Sequence, residues 1–394
     1  MSVIYKRDIT LVYIFNTNFP NKKAHSIQMA KVLFSLKKYF NIYCIVNRLE
    51  IPSLGNSIIY NMSKKDCALL NNKILSQYNY DLKTIHFMQI PKKKLVGLNF
   101  YYTIYSLNKM LPKNSIFYTR SYNLARRLIK TKFIHRKKVI LESHKKDGYY
   151  KEEQIKTDTQ YLRYRKEYEK DNLKPEKLKK IYRQADLVLF TSKNSEKIVK
   201  KDLSSINSAS IWYPLDPKYD FQPEKRPSQI VYVGSLAPSK LIDLLLDALS
   251  MSNKPIGIDI YGGSQLEHKE LIKKARKKEI VAKINCHDFI PYSQLHTVLK
   301  NYKYGVAMVE GIKVVDYLEC GVIPIIPRIA TYTDIFPEDT VIYFQPDNPQ
   351  DLASALIRVE SFNINIEKLK AIREFYFLDN FGQRLASYIL SVVS

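Results

Sequence analysis

The chain is short of cysteine and of long apolar runs, and each shortage removes a class of protein. Its four cysteines, Cys44, Cys67, Cys286 and Cys320, show no paired spacing, so they read as reduced cytosolic thiols and not as a disulfide framework. No apolar run reaches the length that spans a bilayer. The first one, ITLVYIF at 9–15, follows Lys6, Arg7 and Asp8 and precedes Asn16, which suits a core strand better than a signal peptide. No internal repeat or low-complexity tract occurs. What is present is 394 residues, 45% of them hydrophobic, an ordinary globular composition with room for two domains.

Acidic residues are scarce in one half only. Residues 1–208 hold 42 Lys and Arg against 16 Asp and Glu, and the remainder 21 against 22, so the whole formal charge of +25 belongs to the N-terminal half. An AT-rich genome would raise lysine everywhere and would not leave one half neutral. A one-sided basic field suggests an anionic partner: a membrane surface, a lipid-linked diphosphate or nucleic acid. The last is disfavoured, because no recognisable RNA or DNA module appears. The segment IPKKKLVGLNFYYTIYSLNKMLPK (90–113) sets three lysines beside an aromatic and apolar helical pattern. That pattern suits the headgroup layer of an anionic leaflet, and equally a core helix with a basic cap.

Alternation of strand and helix signals runs through both halves. Strands are expected at 9–15, 41–46, 138–141 and 185–191, with a helix at 26–38, another after Tyr118, and a long charged helical arm at 151–183. The stretch Asn207 to Pro227 gathers four prolines between two patterned halves and marks a boundary. The fold class is therefore α/β, with two Rossmann-like doubly wound parallel-sheet domains. Their expected limits are 1–208 and 209–372, with a tail helix at 373–394.

Ile230 to Gly263, IVYVGSLAPSKLIDLLLDALSMSNKPIGIDIYGG, reads as strand, turn, helix, strand and glycine turn. Lys240 falls where the helix is expected to begin, beside a row of unsatisfied backbone N–H groups, which is where a diphosphate binds. With CHDFIPYSQL (286–295) and KVVDYLECGVIPII (313–326), this region resembles the nucleotide-sugar half of the retaining glycosyltransferases of the GT-B fold, family 4 in particular. Gly234 and Ser235 match the family's Gly and Arg-or-Ser. Lys313, Asp316, Tyr317, Leu318 and Gly321 match its Lys-x-x-Glu-Tyr-Leu-Ala-x-Gly block.

The resemblance implies two domains facing across a cleft, a nucleoside-diphosphate sugar as donor, and a tail helix that crosses back to the N-terminal domain. Departure of the diphosphate builds negative charge that fixed positive charge must meet. Asp-x-Asp, the usual metal-holding pair of transferases, occurs nowhere in the chain. No metal or other cofactor is expected, and Lys240 and Lys313, with the N–H groups of Gly311 and Ile312, take that task. Asp316 stands where the family's second glutamate holds the ribose. The first glutamate falls at Met308, with Glu310 two residues on as a substitute. Tyr261, Gly262 and Gly263, and the turn Phe289-Ile290-Pro291, are implied to line the base.

In the N-terminal half, Glu142-Ser143-His144 matches the family's Glu-x-His and makes His144 a catalytic candidate. Asn18 to Ser26 stands where the family has a glycine-rich loop, yet contains no glycine. His25, Ser26 and Arg120 are acceptor-side candidates. The expected activity is hexosyl transfer to a lipid-linked or cell-surface glycan acceptor, by a cytoplasmic enzyme peripheral to the inner face of the membrane. The rival readings are a GT-B scaffold subunit that has lost catalysis, as Met308 implies, and a basic nucleic-acid-binding protein.

Overall fold

A computed structural model describes residues 8–21, 24–51, 58, 62–95, 97–144, 175–217, 219–237, 240–252, 254, 256–280 and 284–393. Its first sheet has seven parallel strands: β1 (Thr10–Phe19), β2 (Asn41–Leu49), β3 (His86–Gln89), β4 (Ser115–Thr119), β5 (Val139–Ser143), β6 (Leu187–Phe190) and β7 (Ser208–Ser210). They lie in the order β3-β2-β1-β4-β5-β6-β7. Leu11 to Phe15 are all buried, as a strand covered by helices on both faces requires. The order reverses between β1 and β4, and at such a switch the strand ends part to leave a crevice. Arg120 and His144 follow directly after β4 and β5.

The helices owe their limits to local chemistry. Ser121 caps the helix Tyr122–Lys130 by accepting the Leu124 N–H, typically worth about 1 kcal/mol. On Gly97–Met110, Phe100, Ile104 and Leu107 join Val12, Ile14 and Phe117 in one buried cluster, each contributing roughly 1.5–3 kcal/mol. The helix Leu378–Leu390 packs on Ala24–Leu36. A Cβ at Gly382 would stand 2.5 Å from the Ser35 carbonyl oxygen, so only glycine permits the helices to approach so closely.

The second sheet has six parallel strands: β8 (Ile230–Val233), β9 (Ile258–Tyr261), β10 (Ile284–His287), β11 (Tyr304–Val306), β12 (Ile323–Pro327) and β13 (Ile342–Phe344). Their order is β10-β9-β8-β11-β12-β13, with the switch between β8 and β11. The fold is the doubly wound α/β pair that the sequence predicts.

Among the described residues, those up to 214 and from 378 onward form one compact unit and 215–377 the other. The first unit runs past the expected limit at 208 because Ser208–Ser210 pairs with β6. The second runs past 372 because the helix Ile366–Phe375 belongs to it: Leu369 is fully buried and Arg373 Nε donates to the Leu318 carbonyl at 2.7 Å. Of the expected charged arm, Pro175–Gln184 is helical and 151–174 lies outside the described residues. Among the described residues no helix is long and apolar enough to cross a membrane.

Candidate functional site

In the second unit, three turns follow the ends of β8, β9 and β11. Gly234 has φ +141°, Gly262 +110° and Gly263 +86°, values that L side chains rarely adopt. A Cβ on Gly262 would run into the Gly234 carbonyl. One on Gly234 would lie 2.5 Å from Lys313 Cε and 2.7 Å from its Nζ. Glycine at 234 thus leaves room for Lys313 to lie across the strand end, its Nζ 3.8 Å from the centroid of the Tyr232 ring.

Lys313 opens the helix Lys313–Glu319, and Tyr317 sets that helix in place. Its hydroxyl accepts the Val233 N–H at 3.3 Å and donates to the Val306 carbonyl at 3.0 Å, joining the helix to both strands at the switch. Burial and the neighbouring Lys240 push the Lys313 ammonium well below the usual lysine range, and Asp316 only partly opposes them. Two cations held together in a partly buried place make a site whose electrostatics an anion would relieve.

Several expected details differ. Lys240 does not begin a helix: the helix runs Ile242–Met251 after Leu241, which has φ +54°. The Gly311 N–H is not directed at an open phosphate position but donates to the Tyr332 hydroxyl at 3.0 Å. Ile312 precedes the helix in αR conformation, without a side-chain cap. Ser235 is exposed, and its Oγ accepts the Ala237 N–H at 3.1 Å. Phe289 and Pro291 are exposed and Ile290 is half-buried, the three leading into the helix Tyr292–Leu299. Met308 is fully buried and serves the core, while Glu310 and Asp316 are half-buried.

Tyr261 stacks on His287, with centroids 4.2 Å apart and planes at 11°, and its hydroxyl lies 3.0 Å from that of Tyr302. Asp259 ties this group together, accepting from Asn285 at 2.9 Å and Tyr302 at 2.9 Å and lying 3.0 Å from His287 Nε2. Burial would raise the Asp259 carboxyl, but these bonds hold it below the usual range. One group among the described residues has the donors for a cation: His296, Asp316 and Glu319, with ligand atoms within 4.8 Å of one another. Glu319 is already engaged there by the Asp216 N–H at 2.6 Å.

In the first unit, Glu142 is the centre. Its carboxylate accepts from Arg120 Nη2 at 2.5 Å, contacts His144 Nε2 at 2.6 Å and accepts the Tyr118 hydroxyl. Burial alone would raise this carboxyl; Arg120 and His144 hold it well below the carboxylate range. His144 is partly exposed and stacks with Tyr213 at 6.3 Å. His25 is half-buried with its ring tilted against Phe15. Ser26 is fully buried, so it does not present its hydroxyl to an acceptor. Of the stretch Asn18 to Ser26, Asn18 and Phe19 end β1, and Ala24 to Ser26 open the helix Ala24–Leu36 as expected.

Residues 217–374 match the family model described as glycosyl transferases group 1. That domain belongs to the group 1 glycosyltransferases. The whole chain has the fold of GT-B glycosyltransferases. HepE of Anabaena, solved with UDP-glucose, aligns over 97% of this chain and 100% of its own with TM-score 0.64 and 12% identity. The lipopolysaccharide outer core galactosyltransferase WaaB aligns over 97% and 99%, with TM-score 0.66 and 12% identity. Sucrose-phosphate synthase of Thermosynechococcus elongatus aligns over 98% and 99%, with TM-score 0.67 and 13% identity. No curated protein matches the sequence significantly.

Residues 217–374 thus form a group 1 glycosyltransferase domain. Within this domain the structure brings together Gly234, Gly262, Lys240, Lys313 and Asp316, and leaves Phe289 and Pro291 on the surface. Sequence reasoning missed Tyr232, Asp259, His287 and Tyr302, whose side-chain contacts reach residues distant along the chain. Glu319, standing where the group 1 block has alanine, was the one signal in the sequence of a buried polar cluster there.

Proposed function

We propose that this glycosyltransferase moves a hexose or related sugar from a nucleoside diphosphate to a lipid-linked or cell-surface glycan acceptor, as in lipopolysaccharide, capsule or glycoprotein glycan assembly. On this reading it retains the anomeric configuration, needs no metal ion and works peripherally at the inner face of the membrane. The carrying observation is the Lys313–Lys240 pair at the switch point of the group 1 domain. A diphosphate there would meet both ammonium groups and reverse the penalty that burial and mutual repulsion place on Lys313. The solved complexes of HepE with UDP-glucose and UDP support the choice of donor class.

Asp316 accepts from the ribose hydroxyls on this reading, and His144 serves the transferring sugar. Membrane association draws on the helix Gly97–Met110. Leu98, Tyr101, Tyr102 and Tyr105 recur at helical spacing and are all exposed, Leu98 to 79% and Tyr102 to 74%. Lys92, Lys93 and Lys94 precede them, so aromatic and cationic groups occur side by side, as headgroup docking requires. Met308, buried at the position of the first family glutamate, favours a second reading as a GT-B binding subunit that holds nucleotide without transferring sugar.

The test is a transfer assay with a panel of nucleoside-diphosphate sugars and a glycolipid acceptor, run with EDTA. The first reading expects transfer from one donor, undiminished by EDTA, with the donor's anomeric configuration in the product. Nucleotide binding with no transfer from any donor would favour the binding subunit. Loss of transfer in EDTA would contradict metal independence and direct attention to His296, Asp316 and Glu319.

A further inference from the structure

The group around Glu142 is built more tightly than a surface histidine needs. Glu142 is 1% exposed, and a carboxylate so deeply buried is costly unless paired and hydrogen-bonded. Here it is both. Arg120 Nη2 and His144 Nε2 reach the same oxygen, Oε1, at 2.5 and 2.6 Å, and Tyr118 donates to Oε2. Tyr118 is itself fixed, stacked on Tyr13 with centroids 4.8 Å apart and planes at 22°. The carboxylate is therefore clamped by Tyr118 of β4 and by Arg120 just after it, while the ring it touches is partly exposed at the end of β5, with 29% of the His144 side chain accessible.

We infer that Glu142 is a positioning residue, held ionised by Arg120, that fixes His144 in the tautomer with its hydrogen on Nε2 and so presents the Nδ1 lone pair to a hydroxyl of the transferring sugar or of the acceptor. A carboxylate can only accept a hydrogen bond from a neutral imidazole, so the contact at Nε2 decides which nitrogen carries the hydrogen. Arg120 then has a role other than the acceptor-side contact expected from the sequence: it neutralises Glu142 from within the fold. The inference rests on the reading of His144 as a group of the transfer site.

The experiment uses the full chain labelled with ¹⁵N at its seven histidines, with the His144 signals assigned by their loss in His144→Gln. Imidazole nitrogen shifts, recorded above the histidine titration range, report the tautomer. In the wild type, His144 should show the Nε2–H form. In Glu142→Gln the amide can accept or donate, and the two tautomers should mix. Because a lone Glu142→Gln strands the Arg120 cation, the double variant Glu142→Gln/Arg120→Met serves as the folded control, its fold checked by circular dichroism, and it should show the same mixing.

Transfer is read alongside. Loss of an orienting partner should lower kcat about ten- to a hundredfold with the donor KM little changed. Adding Glu142→Gln to His144→Ala should lower it little further, since a residue acting through another has no effect once that other is gone. A pure Nε2–H tautomer persisting in both Glu142 variants would overturn the inference. So would mixed tautomers with unchanged kcat, and that result would leave the donor site standing, because nucleotide binding is measured separately in the Lys313 and His144 variants.

Discussion

The two sheets share one wiring and differ in how they handle charge. In each, the strand order reverses beside the first strand; Arg120 after β4, Lys240 after β8 and Lys313 after β11 follow strands that flank the reversal, while Glu142 and His144 lie one strand further out, in and after β5. In the first unit the central charges are mutually neutralised: Arg120, Glu142 and His144 meet within 2.6 Å, with the acid fully buried. In the second the central charges are alike, Lys313 and Lys240, and burial raises the cost of their repulsion. A neutralised cluster orients a side chain, and a pair of like charges only partly opposed by Asp316 would be relieved by an anion. The surface reverses the contrast, with net charge confined to residues 1–208. On the proposed reading, the first unit meets an anionic membrane through its exterior and the second meets an anionic donor through its interior.

The sharpest way to break that contrast is Lys313→Ala, which should lower kcat with the preferred donor by about 10²–10³-fold, the usual loss when one electrostatic stabiliser of a leaving group is removed. Next comes neutralisation of Lys92, Lys93 and Lys94 to Gln. At about 1 kcal/mol per basic residue near an anionic surface, partitioning onto phosphatidylserine vesicles should fall about a hundredfold, and wild-type binding should weaken with salt. Cosedimentation measures both, and binding of UDP or another nucleotide should not change.

Smaller effects concern stability. The Glu142 carboxyl is held below its unfolded value. Its contribution is therefore complete above the ordinary glutamate value of about 4.3 and is lost as pH falls from there toward the folded value. Melting curves against pH should show an acid limb that shrinks in Glu142→Gln/Arg120→Met. Lys313 works the other way. Its folded pKa lies below the unfolded one, so protonation costs the fold stability at neutral pH, and the cost fades as pH rises toward about 10.4. Lys313→Met should melt a few degrees higher than wild type at neutral pH without ligand, with the difference closing at high pH.

The wiring was legible because buried parallel strands such as Leu11 to Phe15 and Ile230 to Val233 are continuous apolar runs between helical patterns. β7, Ser208–Ser210, carries no such signal, and the domain boundary moved accordingly. Gly234 and Lys313 could be read from motif positions, because glycine at a strand end and lysine at a helix start have local reasons. Lys240 stands two residues before its helix and not at its start, because Leu241 takes a left-handed conformation that nothing in a leucine announces. The Gly311 contact with Tyr332 and the Glu142 contact with Arg120 join residues 21 and 22 positions apart. Such pairings are settled by strand order and register, and periodicity along the chain does not reveal them. Ser26 illustrates the same gap: its position near the N-terminus of the helix Ala24–Leu36 was correct, and its full burial followed from packing.

The most direct test of this division is calorimetric titration of wild type, Lys313→Ala and His144→Ala with UDP, GDP, ADP and CMP in EDTA. The account predicts that one nucleoside diphosphate binds the wild type, that binding is lost in Lys313→Ala and that it is kept in His144→Ala. Binding that survives Lys313→Ala, or that disappears with His144→Ala, would contradict it.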